Sequence, residues 1–372
     1  MKKLFSIFLC LIVLLSTVVG CKPQNPGDGS LGFGNVQEVK NIILLIGDGM
    51  GPEQIKAGNL VQRKGLYLDK LPNKVLVETR SNDGEITDSA AAGTALATGV
   101  RTNNGYVGLD PEGNQLETIV DIASNLGKRT GIITTEDLIG ATPMAFASHN
   151  ASRSAYNDLA LVSAQSSNVN LFLSTGNIMG HYTATGGYKI VENVDSISES
   201  TEEKIIGAFP IAATAKEGTD FSFDRMVTEA LDYLSKDEDG FFLMAEGAHI
   251  DHGGHENNIM YMLRELVAFD LGVKAAVEWA SKRNDTVVLV TADHETGGLS
   301  LANGANASNL FDIDGDGNFT NIRWSTDGHS SADVYLYLYG MEMNYVEKSS
   351  FESNNRLKNI DIFNIMKGFL VD

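Results

Sequence analysis

Short apolar runs alternate along this chain with longer amphipathic stretches. Five runs stand out: Asn41 to Ile46, Lys74 to Thr79, Thr130 to Thr135, Gly240 to Ala245 and Thr286 to Thr291, each bounded by glycine or polar turn residues. Continuous apolar runs of this length, unlike strictly alternating ones, predict strands buried on both faces of a sheet. Between them the spacing becomes helical. Phe223, Met226, Val227, Ala230, Leu231 and Leu234 recur at intervals of three and four, as do Leu116, Ile119, Val120 and Ala123. A third series opens at Ile259, Met262, Leu263, Leu266 and Val267 and is expected to run to about Ser281. Strands alternating with helices predict an α/β three-layer sandwich around a mostly parallel central sheet.

The polar positions acquire meaning on that frame. Asp48 follows the first run, Glu246 the fourth, and the Asp293-His294 pair the fifth. Ligands in open α/β sheets collect at the carboxyl ends of the strands, so acids distant in sequence are expected to converge on one rim. Any one of them could instead cap the next helix. Capping does not explain an adjacent Asp-His pair, nor Asp251 and His255 four residues apart.

Composition narrows the class. Met1 to Gly20 has a basic start, an apolar stretch from Leu4 to Val19 and a small residue before Cys21. That is a signal peptide over residues 1–20. Val18-Val19-Gly20-Cys21 has the form of a bacterial lipobox, which would acylate Cys21; an ordinary signal peptide or a short anchor is the alternative. Residues 21–38, rich in Pro, Gly, Asn and Gln, would form a lipidated flexible tether. The expected location is across the inner membrane, anchored to a membrane through lipid on Cys21, in the periplasm or on the cell surface. Cys10 and Cys21 are the two cysteines, so residues 39–372 carry no thiol and no disulfide framework. A formal charge of −20 argues against a nucleic-acid partner, which basic patches would grip. It does not argue against a phosphate ester, because bound divalent ions reverse the local field.

The chemistry sits in five short strings: IGDGMG, TDSAAAGTA, EGAHIDHGGHE, TADHETGG and TDGHSSADV. They hold Asp48, Ser89, Asp251, His255, Asp293, His294 and His329, a carboxylate and imidazole set beside one candidate serine nucleophile. A pair of metal ions about 4 Å apart, suited to in-line displacement at phosphorus, needs that mixture of donors. Ser89 opens a run of small residues, where it could equally be the N-cap of a helix, as could Thr87 or Asp88. No Ser-His-Asp order and no Gly-x-Ser-x-Gly elbow is present to activate it, which leaves metal coordination.

Taken together and in order, the five strings resemble the alkaline phosphatase family, from about Val39 to the C-terminus. The resemblance implies an alkaline-phosphatase-like catalytic domain over residues 39–372 that hydrolyses phosphate monoesters through a phosphoserine. It implies Ser89 as nucleophile, with Asp48, Asp293 and His294 holding the zinc that binds the serine oxygen. Asp251, His255 and His329 would hold a second zinc. Arg153 resembles the family's phosphate-binding arginine, against a plain helix-surface arginine as the alternative, and its fork can bind two phosphoryl oxygens. His252 is expected to face the phosphate. A third ion, usually magnesium, would be held by Asp48, Thr142 and Glu246. The family's further acid or imidazole is replaced here by Gly140, so that site is expected to be weakened and Gly140→Asp to tighten it. A homodimer is left open.

Alternatives are a phosphodiesterase of the same superfold or a non-catalytic phosphate-binding lipoprotein; a sulfatase is disfavoured because no Cys-x-Pro-x-Arg string surrounds Ser89. His149, His181 and His249 read as structural. Asp312 to Asp316 has the acid spacing of a Ca²⁺ loop's start. Arg323 stands where a closing Glu belongs, which favours a solvated turn over a Ca²⁺ site.

Overall fold

Strand β1 (Asn41–Gly47) is an apolar run whose seven residues are all buried, and it lies at the middle of the main sheet. The computed structural model describes residues 38–166, 168–175, 186–209, 222–341 and 356–371. The signal peptide, Cys21, all but the last residue of the tether, and His181 lie outside the described residues. The further strands, in chain order, are β2 (Asn73–Glu78), β3 (Arg129–Thr134), β4 (Leu171–Ser174), β5 (Lys189–Val191), β6 (Ile205–Ala208), β7 (Phe241–Gly247) and β8 (Thr286–Thr291). Four two-residue strands follow, β9 (Glu295–Thr296), β10 (Ser300–Leu301), β11 (Ile322–Arg323) and β12 (His329–Ser330), and then β13 (Val334–Tyr339) and β14 (Arg356–Lys358).

Ten of these form one sheet in the order β14-β2-β13-β8-β1-β7-β3-β4-β6-β5. Only β13 runs antiparallel to its neighbours β2 and β8. Helices Pro52–Val61, Phe223–Leu234 and Ile259–Ala280 pack together on one face. Helices Ser89–Thr98, Ile119–Asn125, Ala141–Ala147 and Asn359–Val371 pack together on the other, giving three layers. Parallel strands joined through covering helices must be apolar on both sides, and β1, β7 and β8 are buried at every residue. No described helix is long and apolar enough to cross a membrane.

Two expectations need correction. The run at Lys74 to Thr79 was expected to be buried on both faces, but β2 alternates, with Lys74 and Leu76 exposed, because it lies one strand from the sheet edge. Leu116 precedes its helix: Thr118 accepts from the Asp121 amide while Asp121 receives the Thr118 amide, a reciprocal cap that starts the helix at Ile119.

The register of the central strands positions the site. Ile46 lies level with Glu246 and with Thr291, and Glu246 lies level with Thr134. Residues one or two past these ends therefore meet on one rim, and they include Asp48, Glu136 and Asp293.

Candidate active site

The β1 turn is tight. Gly49 has φ +74°, and a Cβ there would come within 2.6 Å of the Asp251 Cα, so both the left-handed backbone and the close approach require glycine. The Gly49 and His294 amides both donate to Asp293 Oδ1, at 3.2 and 2.9 Å. That leaves Asp293 Oδ2 facing His294 Nε2 at 3.1 Å, with Asp48 Oδ1 3.5 Å from the same nitrogen. Asp251 and His255 lie on helix His249–His255, four residues and so one turn apart, with Asp251 Oδ2 3.3 Å from His255 Nε2. His329, on β12, places Nε2 3.7 Å from Asp251 Oδ1. A Cβ at Gly253 would meet the Met262 backbone at 2.5 Å; glycine here allows the short helix to seat against Ile259–Ala280.

Among the described residues, the fold thus gathers two groups suited to a metal ion: Asp48, Asp293, His294 and Asp251, His255, His329. Their hydrogen bonds fix the imidazole tautomers. His255 Nδ1 faces the Asp327 carbonyl and His329 Nδ1 the Thr87 carbonyl; carbonyls only accept, so both Nδ1 atoms carry the proton. The Thr296 hydroxyl gives its one proton to Asp251, so His294 Nδ1, 3.2 Å away, must donate to it. In the neutral form of each ring the Nε2 lone pair consequently faces a carboxylate, as second partners orient metal-bound histidines.

Burial sharpens the case. Asp48 Oδ1 and Asp293 Oδ2 are buried without a hydrogen-bond partner, and the buried Thr142 hydroxyl and Glu246 carboxylate have each other for company. Buried oxygens are ordinarily paired, and lone pairs aimed at one another repel unless a cation lies among them. Burial, with the neighbouring carboxylates, raises Asp293 to about 6 and holds Asp48 and Glu246 well above the usual carboxylate range. The donor sets fit divalent metals: mixed N and O in the two trios, oxygen alone at Thr142 and Glu246.

Ser89 is the first residue of helix Ser89–Thr98 but not its cap. Asp88 caps it by accepting from the Ala91 amide at 2.9 Å, which leaves the serine hydroxyl to lie 3.1 Å from His294 Nε2. His294 is a poor base for it, because burial lowers its pKa to about 4. Asp88 also receives Arg153 Nη1 at 3.2 Å. Burial opposes the Arg153 charge, yet Asp88 holds its pKa above the ordinary value, so the fork stays cationic beside Ser89. His252 is half exposed, its Nε2 4.0 Å from Glu136 Oε2. His149 bonds the Leu116 carbonyl, and buried His249 faces Glu265 at 4.0 Å, both outside the trios. Asp312 to Asp316 lies in an exposed turn, where Asp314 Oδ1 already accepts the Asp316 and Asn318 amides.

Sequence reasoning missed Glu136, Thr296 and the double role of Asp88. Glu136 was findable, since it follows β3 as Asp48 follows β1. It also bears on position 140. A Cβ on Gly140 would lie 1.9 Å from Glu136 Oε1, so another carboxylate occupies the space beside Gly140, and a side chain there requires the end of the flexible Glu136 side chain to move.

Open α/β sheet, strand-end acids, fixed imidazoles and one uncapped serine define a class: a metal-dependent hydrolase. The alkaline phosphatase family model matches residues 39–178 and 175–314. Alkaline phosphatase 4 of Bacillus subtilis is 32% identical over 334 residues, covering 82% of this chain and 72% of the relative. Alkaline phosphatase of Escherichia coli K12 is 30% identical over 328 residues, covering 68% and 70%. Among solved structures, a cold-active alkaline phosphatase from a psychrophilic Shewanella superposes with TM-score 0.78 at 26% identity, covering 89% of this chain and all of that one. A mutant of the TAB5 alkaline phosphatase with Mg bound in its M3 site gives 0.77 at 27% identity, covering 90% and 99%. The chain belongs to the alkaline phosphatase family, and is accordingly a phosphoric monoester hydrolase.

Proposed function

We propose that the chain hydrolyses phosphate monoesters through a phosphoserine at Ser89, with zinc in the two trios and magnesium among Asp48, Thr142 and Glu246. The observation that carries this reading is the Ser89 hydroxyl 3.1 Å from His294 Nε2, beside buried oxygens that lack partners. Ions bound there would lower the serine pKa and neutralise charge on the leaving oxygen. Ser89 attacks phosphorus in line as the alkoxide, the P–O bond to the alcohol breaks on the far side, and water then cleaves the phosphoserine to free phosphate. Arg153, steadied by Asp88, holds two non-reacting phosphoryl oxygens and favours substrates that have two to offer. The half-exposed His252 is placed to meet the outer face of the phosphate.

Steady-state rates on a monoester, a diester and a sulfate ester, with zinc and magnesium supplied, test the reading. Monoester turnover that vanishes in Ser89→Ala is the expected result. A preference for the diester would move the chain to phosphodiester chemistry, and no turnover of any ester would leave a binding lipoprotein.

For location, the Gly20-Cys21 junction and the tether support a secreted, lipid-anchored enzyme. Cys21→Ser should move undiminished activity to the soluble fraction; membrane retention without acylation would count for an uncleaved anchor.

A further inference from the structure

The end of β3 and the start of helix Ala141–Ala147 face each other across the oxygen-rich side of the site. Gly140 caps that helix with φ −53°, an ordinary backbone geometry that any residue adopts. Nothing in the backbone therefore requires glycine. What occupies the side-chain space there is Glu136, whose Oε1 would lie 1.9 Å and Cδ 2.8 Å from a Cβ at position 140.

Glu136 stands two residues beyond the last residue of β3. Its amide donates to the Thr134 hydroxyl at 3.2 Å, and that hydroxyl donates to Glu246 Oε2 at 2.5 Å. Asp48 Oδ1 is buried without a partner, and Glu246 and the Thr142 hydroxyl, which pair with each other, are buried beside it, on residues at most 6% exposed. The Glu136 side chain is 24% exposed, less dry than these oxygens, and lies 4.0 Å from His252. Four carboxylate or hydroxyl groups, with no nitrogen among them, suit a hard cation that keeps part of its water shell.

We propose that Glu136 supplies, from the end of β3, the carboxylate that position 140 lacks, completing with Asp48, Thr142 and Glu246 a site for a hard divalent cation of the magnesium type. The third site is then rebuilt from a different residue. This rests on the phosphatase reading for the presence of a third ion, and on this chain's own geometry for the role of Glu136.

The test is calorimetric titration of Mg²⁺ into zinc-loaded protein, with zinc content and melting temperature measured alongside. Glu136→Gln should weaken Mg²⁺ about 10- to 100-fold, the usual effect of losing a supporting oxygen partner, while both zinc equivalents remain. Glu136→Ala combined with Gly140→Asp should bind Mg²⁺ more tightly than Glu136→Ala, because the second carboxylate then has room. An unchanged Mg²⁺ affinity in Glu136→Gln overturns the inference, including the case where phosphate inhibition alone changes because Glu136 merely steadies His252. So does a double variant no tighter than Glu136→Ala. Failure of Gly140→Asp to fold leaves the Glu136→Gln result decisive. If wild-type monoester turnover proves independent of Ser89, the catalytic reading falls separately; a lowered Mg²⁺ affinity in Glu136→Gln would still support the cation site.

Discussion

The two carboxylate–imidazole trios use the same side-chain types and reach opposite electrostatic solutions. In the first, Asp48, Asp293 and His294 are all buried, and desolvation pushes each toward its neutral form: the acids upward, the imidazole down to about 4. In the second, Asp251 is buried but His255 is 41% exposed. There the hydrogen bond that His255 donates to Asp251 raises His255 to about 9, and Asp251 is held well below the usual carboxylate range despite its burial. One trio depends on a bound cation to justify its charges; in the other a proton on His255 can stand in for one. The closed trio lies next to the nucleophile, where a dry, preorganised field acts most strongly on developing charge.

The sharpest way to break this comparison is at Ser89, which leans on the closed trio alone. Ser89→Ala should reduce monoester kcat by roughly three orders of magnitude or more, as loss of a nucleophile does, while zinc content stays near native. Retained turnover, or a phosphate label on another residue, would detach catalysis from the closed trio.

Arg153 is expected to act over the site's outer side with a smaller effect. Arg153→Ala should lower monoester kcat/KM by about 10- to 100-fold, in line with one bidentate charged contact, and should affect a diester less. Equal losses for both esters would mean that the fork does not read the free oxygens.

How far the sequence carried these arguments varies by region. The apolar runs located β1, β3, β7 and β8, because strands buried on both faces leave an unbroken apolar signature, and they located β2 although it alternates. Strands β4 and β6 were missed: at four residues each they are too short to stand out from a buried helix segment. Strand β13, Val-Tyr-Leu-Tyr-Leu-Tyr, carries a period-two alternation that was readable and was not used. Within the site, the motif strings led to both trios. What they could not convey is exposure, and exposure distinguishes His255 from His294. Gly140 was read as a gap because a sequence shows a missing side chain but not which neighbour fills the space.

A third variant pair tests whether the trios differ in sign. In metal-free protein at pH 7, Asp293→Asn should raise stability by about 1–3 kcal/mol, since it removes a buried charge yet keeps an oxygen for the Gly49 and His294 amides. Asp251→Asn should lower stability by about 1–3 kcal/mol, since it removes a charged acceptor from His255 and Thr296. Chemical denaturation in chelator measures both, and a shared sign would erase the distinction.

The smallest effect is the pH dependence of those two differences, and it tests the comparison most finely. Asp293 titrates at about 6 in the folded chain against about 3.9 unfolded, so its protonated form contributes stability that is complete below pH 4 and lost as pH rises through 6. The gain from Asp293→Asn, which mimics that neutral form, should be full near pH 7 and roughly halved by about pH 5. His255 behaves in the opposite sense. Its folded value of about 9 exceeds an unfolded value near 6.5, so its pairing with Asp251 contributes fully below pH 6.5 and is lost as pH rises through 9. The penalty of Asp251→Asn should therefore shrink as pH rises from 6.5 to 9, over a range in which the Asp293→Asn gain is already flat. Two plots of stability difference against pH, with their slopes confined to opposite sides of about pH 6.5, are the expected result. Slopes that coincide would mean the six residues titrate as one coupled centre, and the division into closed and open trios would have to be given up.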